Sequence, residues 1–387
     1  MTAFFRFNIS RLVVLSIMTL ALAACGNTPR GFGDFRPDAE RHGKLTETLV
    51  GTTRALAVPE LMFSDRRADG LNFGSITVSV PPNHVPGQLE RSLSRPDPKQ
   101  HFAAVRGAYI NTEAAFIAAV NRQIADNPSY DGEVMIFIHG YNTSFAEGVF
   151  RGTQFHSDWK LPAVPVHFSW PSAANAAGYV YDKESVLYSR DSFARFLEVM
   201  GKTKAKSIVV LAHSMGTHLT METLRQLAIS GRRDVLERLS MVALVSPDID
   251  RAVFDTQFEA IAPPPFPIVA VVSRDERALA VSARLQRDSR LGTGTDKQAL
   301  IDKGIAVVDL TDVNDGDGTN HSKFATSATF IQLIQNRSLS RSIINAGDRE
   351  EPSAELDLGL IKIEGADGQV KIGGGLLVNP LLETATR

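Results

Sequence analysis

The chain has 387 residues, 43% of them hydrophobic, and a formal net charge of −2. That length and apolar fraction fit one large domain or two small ones with a sizeable core. The near-neutral charge argues against a nucleic-acid surface, and no run of like charge is long enough to form a charged tail.

Residues 1–24 read as a signal peptide outside the fold. Arg6 and Arg11 make a positive start, and residues 12–23 are apolar but too short for a spanning helix of about 20 residues. Leu22-Ala23-Ala24-Cys25 then resembles the lipobox of bacterial lipoproteins, which are cut before the cysteine and acylated on it. The resemblance implies a lipid anchor at Cys25. Gly26 in the next position, rather than aspartate, implies the outer membrane of a Gram-negative envelope. Cys25 is the only cysteine, so no internal disulfide supports the fold.

Residues 25–46 are polar, with Gly, Pro and mixed charges, and read as a tether. Residues 75–80 alternate and predict a strand, and five prolines make 81–100 a loop. Apolar spacing predicts a helix over 113–124. Apolar runs of strand length follow at 134–138, 164–168, 207–211, 241–245, 268–272 and 305–310. Helical patterns at 144–157, 185–200 and 322–335 lie among and after them. Continuous apolar strands alternating with helices predict an α/β fold over 47–335, a mostly parallel sheet covered on both faces. Sites in such sheets lie at the carboxyl ends of the strands. Residues 336–387 are read as a C-terminal extension, with a hairpin outside the main fold expected around Gly365-Ala366-Asp367-Gly368.

The strand at 207–211 runs into Ala212-His213-Ser214-Met215-Gly216 and then a helical pattern. Small residues two before and two after Ser214 permit the sharp strand-to-helix turn that presents a nucleophilic serine. A serine hydroxyl needs a general base, and the base needs an orienting acid. The strand, turn and helix at Ser214 resemble the α/β-hydrolase arrangement, in which the chain order is Ser, acid, His. Two histidines follow Ser214. His218 sits on the helix leaving the turn and points the wrong way, so His321, after the last strand, is the base. For the acid, Asp275 follows the strand at 268–272, while Asp248 and Asp250 follow the one at 241–245; Asp275 is preferred, with Asp248 the alternative. The acid not used is expected to cap a helix. An oxyanion hole needs two fixed N–H groups. Met215, after the nucleophile, supplies one. Tyr141, in His139-Gly140-Tyr141-Asn142 after the strand at 134–138, supplies the other. His139 is expected to order that loop, and His213 to pack.

At these residues the chain resembles the α/β-hydrolase fold esterases and lipases. More narrowly it resembles a bacterial group defined by its fold and largely without assigned function. The matching stretches are residues 50–54, 73–81, 137–142, 168–171, 212–216, 246–250, 275–279 and 321–322. The resemblance implies a triad of Ser214, Asp275 and His321 acting on a small-molecule carboxylic ester. It leaves substrate and oligomeric state open, and residues after 335 lie outside it. No His/Cys/Asp cluster has metal-site spacing, the Asp/Asn/Gly-rich loop at 312–320 lacks calcium-loop spacing, and Gly292-Thr293-Gly294 follows no strand, so neither metal nor cofactor is expected. Two rival readings stay open: a silent lipid-anchored scaffold, and a peptidase on the same fold. Residues 170–188 are long for a strand-to-helix connection. They are expected to form a pocket wall or partial lid, favouring short or medium acyl esters.

Overall fold

The computed structural model describes residues 31–92, 95–274, 290–295, 297–311, 313 and 322–335, together with three short strands at 356–357, 361–364 and 369–372. Asp275, His321 and Cys25 lie outside the described residues.

Seven parallel strands form the centre of the sheet: β1 (Lys44–Leu56), β4 (Glu133–Ile138), β5 (Val164–Ser169), β6 (Ser207–His213), β7 (Leu239–Val245), β8 (Ile268–Val272) and β9 (Ala306–Asp309). Their spatial order is β9-β8-β7-β6-β4-β5-β1. Next to β1 the sheet continues antiparallel through β2 (Phe63–Val80) and β3 (Ala103–Ile110). Beyond β9 lie β12 (Gln369–Ile372), β11 (Ile361–Glu364) and β10 (Leu356–Asp357). β11 and β12 form the hairpin at the expected place, but β12 runs parallel to β9, so the hairpin extends the sheet.

Burial on both faces explains why the central strands read as unbroken apolar runs. Side chains alternate along β4. Val134, Ile136 and Ile138 enter a core shared with Phe168, Phe193 and Phe196, while Met135 and Phe137 enter the opposite core with Phe155 and Trp159. The covering helices are α1 (Glu113–Asp126), α2 (Phe145–Asp158), α3 (Tyr179–Gly201), α4 (Met215–Ile229), α5 (Arg233–Leu236), α6 (Arg251–Ile261), α7 (Lys297–Ile301), α8 (Lys323–Thr326) and α9 (Ala328–Gln335). Side-chain oxygens start several of them. Thr112 accepts from Ala115 N, Ser144 from Glu147 N, and Asp250 from Ala252 and Val253 N.

Four expectations are corrected. The tether at 25–46 is already part of the fold at Phe32, which packs edge-on against Phe145 and Phe150, and β1 starts at Lys44. β1, β3, α5, α6 and α7 lie where no element was expected. The helix expected over 185–200 starts at Tyr179, because the Asp182 carboxylate ties its first turn to the loop before it. The helix expected over 322–335 is broken at Ser327, whose ψ of 120° leaves the helical region.

Candidate active site

Four neighbouring strands end at residues with positive φ that are not glycine: Ala174 after β5 (50°), Asn142 after β4 (54°), Ser214 after β6 (53°) and Ser246 after β7 (49°). Each such residue stores about 1–3 kcal/mol of backbone strain. All four lie at the carboxyl edge of the sheet, where the sites of such folds are built.

Ser214 is the apex of the β6–α4 turn, with φ 53° and ψ −123°. Its N–H donates to Val245 O at 2.9 Å. Its carbonyl accepts from Thr217 Oγ1 at 2.6 Å, Thr217 N at 3.0 Å and Asp248 N at 3.4 Å. Gly216 is required by close approach: a Cβ there would lie 2.5 Å from His139 O. Gly140 is required likewise, since its Cβ would lie 2.8 Å from the Ser214 Cβ. Two stretches far apart in sequence are thus pressed together around the serine.

The loop after β4 brings Tyr141 to this point. Asn142 N donates to Asp182 Oδ2 at 3.0 Å and Thr143 N to Ser172 Oγ at 3.1 Å. Among the described residues, the Tyr141 N–H has no such acceptor. Met215 opens α4, so its N–H precedes the helix's own acceptors. These are the two groups expected to form the oxyanion hole.

Beneath the loop lies a buried polar network. Arg54 on β1 is 1% exposed. It donates from Nε to Ser169 Oγ (2.8 Å), from Nη1 to Ser64 O (3.2 Å) and Ser172 O (3.3 Å), and from Nη2 to Thr143 O (2.9 Å). Burial pushes its guanidinium down to about 10, opposed by Asp182, Asp65 and Tyr181. Asp182 also accepts from Ser172 Oγ at 2.7 Å and Ala173 N at 2.7 Å, and burial raises its carboxyl against these bonds. His139 stacks on Trp170 with ring centres 4.7 Å apart, and each ring nitrogen faces a carbonyl at 2.9 Å, Gly140 O and Trp170 O. Burial, then Arg54 and His167, hold its pKa well below the ordinary value, and its contacts with Gly140 and Trp170 order the loop.

The wall at 170–188 differs from the expectation. Only 170–178 is a connection, tied down by Asp182 and by Tyr141 Oη donating to Ala176 O at 2.5 Å. Tyr179 packs edge-on against Tyr141 and donates to Asp248 Oδ2 at 3.3 Å. Tyr181 turns away and donates to Asp65 O.

Asp250 caps α6, but Asp248 does not cap a helix: it is buried in an ion pair with Arg290, Nε to Oδ1 at 3.3 Å. The strand ends that lead to Asp275 and His321 are joined to each other. Arg274 N donates to Thr311 Oγ1 at 3.0 Å, and buried Lys323 reaches Leu310 O at 3.1 Å and Ser273 Oγ at 3.4 Å. The His213 ring packs 4.7 Å from that of Phe324. Burial lowers the pKa of His218 on α4. The structure therefore presses Gly140, the residue before Tyr141, against the Ser214–Met215 turn. Sequence reasoning missed Arg54, Asp182, Arg290 and Lys323; for Arg54 the only signal was its place in the matching stretch at 50–54. Among the described residues, no group of three His, Cys, Asp or Glu side chains is placed to hold a metal.

Comparison with curated proteins gives no match. Among solved structures, the chain is similar to one from a structural study of two fungal esterases from Rhizomucor miehei. The identity is 11%, covering 81% of this chain and 88% of that one, with a TM-score of 0.33. A family model described as alpha/beta hydrolase of unknown function (DUF900) matches residues 112–337, more than half of the chain. With its parallel sheet and its serine-bearing turn after β6, the chain belongs to that family of α/β hydrolases.

Proposed function

We propose that the protein is a serine hydrolase of short and medium acyl carboxylic esters. The observation that carries this reading is the strained Ser214 turn pressed against Gly140, the residue before Tyr141. In this reading Ser214 Oγ attacks the acyl carbonyl and passes its proton to His321. The Tyr141 and Met215 N–H groups stabilise the oxyanion. Asp275 orients the imidazole and stabilises its charged form. The alcohol leaves with the proton from His321, and water, activated by the same histidine, releases the acid from the acyl-enzyme. A pocket wall held by Asp182 and Tyr141 favours small acyl groups, because it has no long segment to swing aside. Signal cleavage and acylation at Cys25 would anchor this hydrolase to the outer membrane.

A series of nitrophenyl esters of rising chain length, run beside peptide substrates, tests the reading. Rates should peak at short or medium chains and exceed those on peptides. A steady climb to the longest chains, or preferred cleavage of peptides, would contradict it.

A further inference from the structure

We propose that the edge of the molecule formed by the β1–β2 turn and the start of α3 docks on the lipid bilayer, so that the candidate active site opens at the membrane surface. The proposal rests on the lipid anchor at Cys25 proposed above.

The first argument is the reach of the chain. Six residue steps separate Cys25 from Gly31, a span of at most about 20 Å even when fully extended. Gly31 lies against the β1–β2 turn: a Cβ on it would stand 2.7 Å from Leu61 Cδ2. A lipid on Cys25 therefore keeps this turn close to the bilayer. β1 is parallel to β5 and, through β4, to β6, so its end at Leu56 shares the carboxyl edge with Ser214. The anchor and the site are on the same edge of the sheet.

The second argument is what that edge exposes. Of the eleven exposed large apolar side chains among the described residues, six lie here: Leu56, Val58, Tyr109, Val180, Tyr181 and Tyr188. Val180 is 74% exposed, Leu56 61% and Val58 58%. The three tyrosines donate their hydroxyls to backbone carbonyls of the turn and hairpin, Met62 O, Asp65 O and Ala68 O. Arg67 lies over two of the rings, 4.7 Å from the centre of Tyr181 and 5.5 Å from that of Tyr188. Half-exposed tyrosines with fixed hydroxyls suit the water–lipid boundary. Arg66, Arg67 and Lys183 are matched by Glu60, Asp65, Asp69 and Glu184, so docking does not require anionic lipid.

The test uses the lipidated full chain in phosphatidylcholine vesicles. Acylation consumes the only native thiol, so Val58→Cys, Val180→Cys and Ile229→Cys each carry one free thiol for a polarity-sensitive dye. Ile229 is exposed at the far end of α4, which runs from Ser214 back to the opposite edge of the sheet. Spin-labelled lipid should quench the dye at 58 and 180 roughly twofold or more over that at 229, as expected for side chains buried about 5–10 Å into the headgroup boundary. Equal quenching at all three positions, with lipid found on Cys25 by mass spectrometry, overturns the docking and leaves the anchor. An unmodified Cys25 overturns both and leaves the hydrolase reading intact. Shielding at 58 and 180 that grows with protein density without lipid quenching assigns the face to a second copy and overturns the proposal.

Discussion

Replacing Gly140 by alanine adds a single methyl group at the narrowest point of the site. That methyl would stand 2.8 Å from the Ser214 Cβ, 3.0 Å from His213 Nδ1 and 3.2 Å from His213 O. Carbon atoms rest about 3.5–4.0 Å apart, so the loop and the nucleophile must separate by roughly 1 Å. None of the three obstacles is the far end of a flexible side chain. Overpacking of this kind costs about 1–3 kcal/mol of stability, which a domain with this core survives. Displacing an oxyanion donor by about 1 Å costs roughly 100-fold in turnover. Gly140→Ala should therefore melt a few degrees lower and hydrolyse nitrophenyl esters about 100-fold more slowly. Gly70→Ala is the control, because nothing lies within 4 Å of its added methyl. Turnover and thermal melting, measured on the same preparations, separate the two effects. A folded Gly140→Ala protein with wild-type turnover would refute the placement of this loop at the nucleophile.

The two candidate acids should separate by phenotype. Asp275→Asn should cut turnover by several orders of magnitude with little change in melting. Asp248→Asn should remove about 3–5 kcal/mol of stability by leaving Arg290 buried without its charge partner, seen as a lower melting temperature. Acid lability follows from the buried histidines. Burial lowers His156 to about 4 and His167 to about 3, so below the ordinary value of 6.5 the unfolded chain binds more protons than the folded one. Stability should fall as pH drops from about 6.5 toward 4, and replacing His156 by Gln should flatten that slope in denaturant melts. His84 acts with the opposite sign. Burial opposes its charge, but Asp158 at 2.5 Å and Glu90 at 2.8 Å raise its pKa overall. Its contribution is complete below about 6.5 and is lost as pH rises through the raised value. The melting difference between wild type and His84→Gln should therefore shrink from pH 6 to pH 9.

The parts of the fold legible in the sequence are those whose signal is local. β4, β6 and β8 are buried on both faces, so each is an uninterrupted apolar run. The Ser214 turn is specified within five residues. β1 was hidden because it is central yet rich in threonine. Thr52 and Thr53 are buried and satisfied by partners distant in the chain, Ser169 O and Ser189 Oγ. β3 was hidden because residues 106–109, half of the strand, are exposed, which erases its apolar pattern. The loop at residues 139–142 follows β4 where it was expected, but its supports were not legible. Arg54 and Asp182 meet it only through tertiary contacts, and no spacing in the sequence records that a carboxylate on α3 receives the Asn142 N–H. Asp248 resembled a cap because it follows a strand; its partner Arg290 lies more than forty residues on.

The central claim is that Ser214 is an activated nucleophile. The most direct measurement is labelling of the folded protein with a fluorophosphonate, followed by mass spectrometry of the peptides. The account predicts a single covalent adduct on Ser214, lost in Ser214→Ala with the melting temperature unchanged. A folded wild-type protein that takes no label, or one labelled at another residue, would contradict it.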